Sequence, residues 1–126
     1  MSVIDDLARS RYVSLTTYRR DGTAVATPVW VVRNGDELFI VSDAGAGKVK
    51  RIRNSGRVVL TACSVRGKIA PGAPSAPGTA RLLGPADTEA GRALIARKYA
   101  MARIGYLFAR LLRLRRAPTV GIAVTL

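Results

Sequence analysis

The fold is indicated by RYVSLTTY at Arg11–Tyr18 and TAVATPVWVVR at Thr23–Arg33, two runs of β-forming residues separated by RRDG. The Asp21-Gly22 pair between them is among the strongest short-range signals for a β-hairpin. Pro28 cannot donate to a ladder, so we expect a sheet edge or a bulge at that point. The pattern predicts antiparallel pairing, with backbone groups of the second strand left free for a ligand.

Further β-forming runs follow at a regular spacing. They occupy Glu37–Val41, Arg57–Val65, Thr79–Leu83 and Thr119–Leu126. Strands joined by tight turns are antiparallel, and regular spacing of short strands is typical of a small barrel. We therefore predict a mainly β (α+β) fold in a single domain that covers residues 1–126.

Helices and one long loop complete the predicted order. Ser2–Arg9 has helical spacing and a capping serine, and a basic helical pattern runs from Pro85 to about Arg116, with a break at Gly105. We expect this basic pattern to pack on the barrel or on a partner subunit rather than on a membrane. Between the strands, Arg66–Gly78 is rich in proline and glycine and is predicted to form a wide hairpin loop that moves until a ligand binds.

The most basic local stretch is SDAGAGKVKRIRNSGR, Ser42–Arg57, which follows a predicted strand. Its glycines allow close backbone approach, and the first amides of a following helix attract negative charge. Lysine and arginine side chains add full charges, so the stretch predicts a cradle for an anion. A nucleotide-triphosphate loop is excluded, because Ser42 and Val49 stand where that motif needs glycine and a hydroxyl. A solvated basic helix remains the alternative.

Composition restricts the possible chemistry. Lys and Arg number 21 against 8 acidic residues, a formal net charge of +13 that indicates an anionic partner: nucleic acid, an acidic membrane face or a small polyanion. The chain has no histidine, and Cys63 is its one cysteine, which excludes an internal disulfide, His/Cys zinc sites, histidine triads and haem ligation by histidine. We expect Cys63 to be a small buried thiol, no metal or haem to bind, and any enzymatic chemistry to come from a cofactor.

Targeting signals are weak. Asp5 and Asp6 lie where a signal peptide would need an apolar core, and no apolar run reaches the length of a membrane span. We therefore expect a cytoplasmic protein.

Taken together, the motifs resemble a known family. They are GTAVATPVWVV (Gly22–Val32), ELFIVS (Glu37–Ser42), GKVKRIRNSGRV (Gly47–Val58), ACSVRG (Ala62–Gly67) and ARKYA (Ala96–Ala100). Their order is similar to that of the pyridoxamine-phosphate-oxidase-like superfamily, and more closely to its actinobacterial flavin and deazaflavin oxidoreductases, the B group that uses coenzyme F(420). This resemblance implies a homodimeric split β-barrel of six to seven antiparallel strands with short helices.

The resemblance also implies roles for particular residues, grouped here by the part of the coenzyme they would contact. The ring edge would meet Thr27, Pro28 and Val29. The phosphate would be held by Ser42, Lys48, Lys50 and Arg51. The tail or the ring face would lie along Cys63, Arg66 and Lys68, while Lys98 and Tyr99 would reach the site of the partner subunit.

The function implied is hydride transfer from reduced F(420) to a small organic acceptor, which the sequence does not identify. Coenzyme F(420) carries a phosphodiester and an oligoglutamate tail, so it suits a strongly basic protein, and its ring needs no protein nucleophile. The alternatives are an FMN-binding flavoprotein of the same fold, a non-catalytic carrier of F(420), and a nucleic-acid-binding protein. Nucleic acid is not favoured, because Tyr18, Trp30, Tyr99 and Tyr106 are scattered along the chain rather than paired on one strand.

Overall fold

A computed structural model describes residues 2–100 and 118–126. Within these ranges it has three helices, namely α1 (Val3–Arg9), α2 (Gly47–Asn54) and α3 (Pro85–Ala100). Its seven strands are β1 (Tyr12–Tyr18), β2 (Ala24–Val29), β3 (Val32–Asn34), β4 (Glu37–Asp43), β5 (Arg57–Cys63), β6 (Ser75–Leu82) and β7 (Thr119–Thr125). The α+β class is confirmed, and each predicted helix and strand up to α3 is present, except that the predicted strand Thr23–Arg33 is two strands. Gly105 and the continuation of the helical pattern to Arg116 lie outside the described residues.

All strands join one antiparallel sheet, in the order β2-β1-β5-β6-β7-β4-β3. Strands β2 and β3 lie at the two edges of this order, yet only Trp30 and Val31 separate them in the chain. The sheet must therefore curve until its two edges meet at these residues. We call this junction the seam.

The inside of the curved sheet is mostly apolar. Alternate residues of the strands point inward and are fully buried, among them Leu15, Leu38, Leu60, Ile122 and Val124. Helices α1 and α2 add Leu7 and Ile52 to the same core. Burying each such side chain contributes about 1.5–3 kcal/mol, so the inward face accounts for most of the stability of the fold.

Helix α3 covers the outside of the sheet at β4 and β7. The ring of Phe39 lies between α3 and β7, with Ile95 and Tyr99 packed on the same cluster. A Cβ at Gly91 or Gly121 would stand 2.0 or 2.6 Å from this ring. Thr88 adds a polar contact, since its Oγ1 accepts from the N–H of Gly121 at 2.9 Å.

Two boundaries differ from the sequence prediction. The run Thr23–Arg33 is two strands, broken at the seam rather than at Pro28, because the chain changes partner there from β1 to β4. Pro28 pairs with Ser14 inside β2, and β2 is the expected sheet edge. The loop after β5 is shorter than predicted, since Ser75–Gly78 already belongs to β6 and pairs with β5.

The first hairpin has the expected turn. The N–H of Gly22 donates to the carbonyl oxygen of Arg19, and the N–H of Arg19 donates to that of Thr23, both at 2.9 Å. Gly22 has a φ of +89°. A three-residue loop that ends in a left-handed glycine matches the right-handed twist of the flanking strands.

We expect Gly22→Ala to lower the free energy of unfolding by about 1 kcal/mol, because a side chain disfavours the left-handed region. Chemical denaturation measures this loss. Gly45→Ala is the matched control, since Gly45 has no positive φ and no atom lies within 4 Å of the place that a Cβ would take there. Equal effects of the two substitutions would contradict a conformational role for Gly22.

Candidate functional site

The free edge of β2 offers backbone groups to a ligand. Because Arg19 and Thr23 form a hydrogen-bonded pair, the paired positions on β2 continue at Val25, Thr27 and Val29 by alternation. The backbone groups of Ala24, Ala26 and Pro28 therefore point away from β1, where the described residues supply no further strand. Pro28 has no N–H to leave unpaired, so its position on an exposed edge has a low cost.

At one end of this edge, Arg51 and Thr17 form the core of a candidate anion-binding group. The Nε of Arg51 donates to Oγ1 of Thr17 at 2.6 Å, and Thr17 is fully buried in β1. The guanidinium lies over the first turn of α2, where a Cβ at Gly47 would stand 2.8 Å from its Nη1. Glycine at this position lets the side chain of Arg51 fold back along its own helix.

Lys48 completes the group from the first turn of α2. It is half-buried, and burial lowers the pKa of its ammonium, with Asp43 raising it and Arg51 lowering it to smaller extents. No side chain caps the first amides of α2, whose N-cap is Ala46. Two partly desolvated cations beside an uncapped helix start make a favourable place for phosphate.

The structure separates the four cations of α2. Val49 and Ile52 face the core, Lys48 and Arg51 are half-buried on the flank, and Lys50 is exposed together with Arg53. At about 100° per residue, Lys50 lies about 160° from Lys48 and about 100° from Arg51 around the helix, so it does not share their flank, and its contact with a phosphate stays a prediction. None of the four forms a salt bridge within the described ranges, whose salt bridges all lie elsewhere.

Thr27 carries an unpaired polar atom. Its Oγ1 is buried and has no hydrogen-bond partner among the described residues. Thr27 shares the inward face of the sheet with Thr17, as a diagonal neighbour about 7–8 Å away. A buried hydroxyl without a partner costs about 1–3 kcal/mol, so a ligand group that bonded it would gain stability.

Three of the predicted contact residues have side chains that are buried or that face the other side of the sheet from Thr27. Val29 is buried in the core, which leaves only its backbone near the edge. Pro28 faces the opposite side of the sheet from Thr27, because neighbouring residues of a strand alternate. Ser42 is buried and donates its hydroxyl to the carbonyl oxygen of Asp43 at 3.1 Å.

The turn after β5 lies at the other end of the edge strand. Ser64 organises this turn, because its Oγ accepts from the N–H groups of Arg66 and Lys68 at 3.3 and 3.1 Å. Gly67 has a φ of +82°, and a Cβ there would lie 3.8 Å from the ring of Pro28. The structure thus brings Arg66 and Lys68, both exposed, to the Pro28 end of β2.

Cys63 lies just before this turn, at the end of β5. It is half-buried rather than buried as predicted, and burial raises the pKa of its thiol. A raised pKa lowers the fraction of thiolate at neutral pH, which agrees with an unreactive side chain.

Lys98 and Tyr99 have their polar atoms engaged within their own protomer. Nζ of Lys98 donates to three backbone carbonyl oxygens, and Oη of Tyr99 accepts from the N–H of Val31 at 3.0 Å. Tyr99 is buried and stacks on Trp30, with ring centroids 4.0 Å apart, so this aromatic pair is not a platform for nucleic-acid bases. Contact of Lys98 and Tyr99 with a partner subunit stays a prediction.

Sequence reasoning missed Thr17 and Ala26. Thr17 has no motif of its own, and a buried threonine in a strand is usually explained by packing. The backbone groups of Ala26 are unpaired because of the register of β2 on β1. The hairpin turn was the one feature of the sequence from which this register could have been predicted.

No cluster of three or more potential metal ligands occurs in the ranges 2–100 and 118–126. No helix in these ranges has both the length and the apolar character needed to cross a bilayer.

Sequence comparison identifies one family. The family model described as pyridoxamine 5'-phosphate oxidase matches residues 3–123, nearly the whole chain. No curated protein matches this sequence significantly.

Solved structures share the fold. A protein of unknown function from Agrobacterium tumefaciens superposes with a TM-score of 0.70 at 21% identity, covering 98% of this chain and 51% of its own. The chain thus spans about half the length of that protein. The haem storage protein HutZ from Vibrio cholerae gives 0.67 at 14% identity and coverages of 98% and 86%. A structure named F(420) reductase gives 0.58 at 18% identity and coverages of 96% and 90%. At these identities the likeness concerns the fold alone.

Proposed function

The chain belongs to the pyridoxamine 5'-phosphate oxidase family, and from this premise we propose that it is a reductase that passes hydride from reduced F(420) to a small organic acceptor. The observation that carries the proposal is the pairing of a desolvated anion-binding group, Lys48 and Arg51 with Thr17, with the free edge of β2. The similarity of the fold to a structure named F(420) reductase supports it.

The residues present fit a phosphate-bearing ring coenzyme. Thr27 has a buried hydroxyl without a partner, and Lys48 and Arg51 have no salt bridge among the described residues. Lys48 and Arg51 can donate hydrogen bonds to a phosphate, while Thr17 accepts from Arg51 and donates to the carbonyl oxygen of Val25 at 3.5 Å. The phosphate and the ring edge of such a coenzyme would therefore each find hydrogen-bond partners on this chain.

Each part of the site has a separate task. Lys48 and Arg51 would hold the phosphate, and Thr17 keeps the guanidinium of Arg51 in place. The hydroxyl of Thr27 and the free backbone groups of Ala26 would align the edge of the ring. The apolar core behind β2 excludes water from that side.

The coenzyme itself would supply the hydride chemistry. This division suits a chain without histidine, because the protein has only to bind, orient and exclude water. The net charge of +13 favours a coenzyme with an oligoglutamate tail over less charged flavins.

Titration of the purified protein with F(420) and with FMN, followed by coenzyme fluorescence, tests the proposal. We expect saturable binding of F(420) in the micromolar range and weaker binding of FMN. Tighter binding of FMN would indicate the flavoprotein alternative, and absence of binding by either would end the proposal. Binding of reduced F(420) without turnover of any acceptor in a panel would indicate a carrier.

We further propose that the active form is a homodimer joined through the outer face of β2, β1, β5 and β6. The central positions of this face carry no charged side chain, among them Thr16, Ala26, Val59, Thr61, Ser75 and Pro77. Depletion of charge is typical of interface cores, and it is notable in a protein where 23% of the residues are charged. The exposed side chains of Val65 and Ile69 extend the face along the neighbouring turn.

Val59→Arg is expected to weaken this dimer at least about 100-fold, because it buries an unpaired charge at the centre of the interface. Sedimentation analysis across a range of concentrations measures the change. Val3→Arg on α1 is the control, since Val3 is exposed and lies on a helix that packs on the inward core rather than in the strands of this face. A monomeric wild-type protein at high concentration, or an unchanged Val59→Arg dimer, would show that this face is not the interface.

A further inference from the structure

Three backbone carbonyl oxygens converge on the ammonium group of Lys98. They belong to Ala8, Ser10 and Val31, and they lie 2.7, 2.9 and 2.7 Å from Nζ. An ammonium group has three donors, so each donor of Lys98 has one acceptor. Ala8 and Ser10 lie at the end of α1 and Val31 lies at the seam, so the three oxygens come from two segments that are distant in the chain.

Tyr99 binds the same two segments from the next position on α3. Its Oη accepts from the N–H of Val31 and lies 2.7 Å from the carbonyl oxygen of Arg11, to which it can donate. Both backbone groups of Val31 are thus bonded by side chains of α3. This substitutes for a strand ladder at the point where the chain leaves the edge strand β2 for β3.

The surroundings of Nζ are poor in compensating charge. The centroid of the Tyr99 ring lies 5.0 Å from Nζ. The neighbouring segments contribute Tyr12 and the cations Arg9 and Arg11. No carboxylate of the described residues forms a salt bridge with Lys98. Burial lowers the pKa of Lys98 to about 8. A half-buried ammonium is therefore held in place by carbonyl oxygens, not by a counter-ion.

We propose that the carbonyl oxygens of Ala8, Ser10 and Val31 form an ammonium-binding site at the seam, which Lys98 fills to fix the position of β2. Lys98 and Tyr99 are positioning residues in this arrangement. The consequence for the coenzyme rests on the proposed function, since β2 is the strand assigned there to the ring. The seam itself can be tested without any coenzyme.

Trp30 provides the reporter. It is the one tryptophan of the chain, it adjoins Val31, and its ring is parallel to that of Tyr99 within 4°. Removal of the Lys98 side chain by Lys98→Ala leaves the site empty of its own ammonium. We expect a shifted Trp30 emission and about tenfold faster hydrogen exchange in the peptide that contains Val31, as for the loss of one charge-assisted bond.

Added ethylammonium should reverse both changes in Lys98→Ala in a saturable manner, because it carries the same ammonium group on a short apolar stem. The experiment is run at about pH 7, below the lowered pKa of Lys98. Sodium chloride of equal ionic strength and a neutral alcohol of similar size serve as controls for salt and for cavity filling. Arg97→Ala is the matched variant, since Arg97 is the exposed neighbour of Lys98 on α3, and it should behave as wild type.

Wild-type emission and exchange in Lys98→Ala would overturn the proposal, as would rescue by sodium chloride or by the neutral alcohol to the same extent. If Lys98→Ala does not fold, ethylammonium in the refolding buffer must restore the fold, and its failure to do so counts against the site. Tyr99→Phe should also shift Trp30 emission, but ethylammonium should not reverse that shift. If neither F(420) nor FMN binds, the proposed function fails, but Trp30 emission and hydrogen exchange still test the ammonium-binding site at the seam.

Discussion

Replacing both Lys48 and Arg51 with alanine is expected to lower the affinity for F(420) by about 100- to 10,000-fold. Each charge-assisted contact to phosphate contributes about 1.5–3 kcal/mol, and two such contacts multiply in the dissociation constant. Both side chains are partly desolvated, which strengthens their attraction for an anion. Fluorescence titration of the coenzyme measures the loss.

The opposite face of α2 supplies a control with the same change in charge. Lys50→Ala with Arg53→Ala also removes two cations from α2, but both side chains are exposed and make no described contact with Thr17. We expect this pair to change the affinity by less than about tenfold at physiological salt, because exposed charges are screened. Equal losses from the two double variants would mean that net charge, and not the Arg51–Thr17 group, holds the coenzyme.

Gly91→Ala is expected to destabilise the protein by about 3 kcal/mol, with a drop in the melting temperature of about 10 °C. The new Cβ would stand 2.0 Å from Cε2 of Phe39 and 2.4 Å from Cδ2, so α3 or the ring must move. In an open helix the same change would add up to about 1 kcal/mol of stability, since alanine is the better helix former. The sign of the change in the free energy of unfolding, measured by thermal and chemical denaturation, therefore distinguishes steric conflict from helix propensity.

A second substitution tests the cause of this loss. Phe39→Leu removes ring atoms from the position of the new Cβ, so the double variant should be more stable than the sum of the two single losses predicts. Gly84→Ala is the control, because no atom lies within 4 Å of a Cβ at that position. Strict additivity in the double variant would exclude a contact between residue 91 and the ring of Phe39.

Local signals in the sequence predicted much of the β-structure. Asp21-Gly22 indicates a tight turn because glycine accepts a positive φ, and the observed hairpin has this glycine at +89°. The Gly47 start of α2 and its cations were likewise visible in the chain itself. Such features depend on neighbours within a few residues, so composition and spacing are enough to find them.

The division of the cations on α2 could be only partly predicted. The helical period separates Lys50 from Lys48 and Arg51, but it does not say which side of the helix meets the sheet. That side is set by Val49 and Ile52, which are buried against strands distant in the chain. Which of the predicted residues Ser42, Lys48, Lys50 and Arg51 hold a phosphate therefore stays a prediction.

Local patterns in the chain were enough to predict the class of the fold, the first hairpin and the position of a basic helix that begins at Gly47 after β4. Only the folded structure shows which groups meet: Arg51 with Thr17, 34 residues away, and Lys98 with Val31, 67 residues away. Neither contact has a local signal, because each partner is an ordinary residue in its own segment. Curvature of the sheet creates both, since it brings the two edges together at Trp30 and Val31 and sets α2 and α3 against strands that lie far from them in the chain.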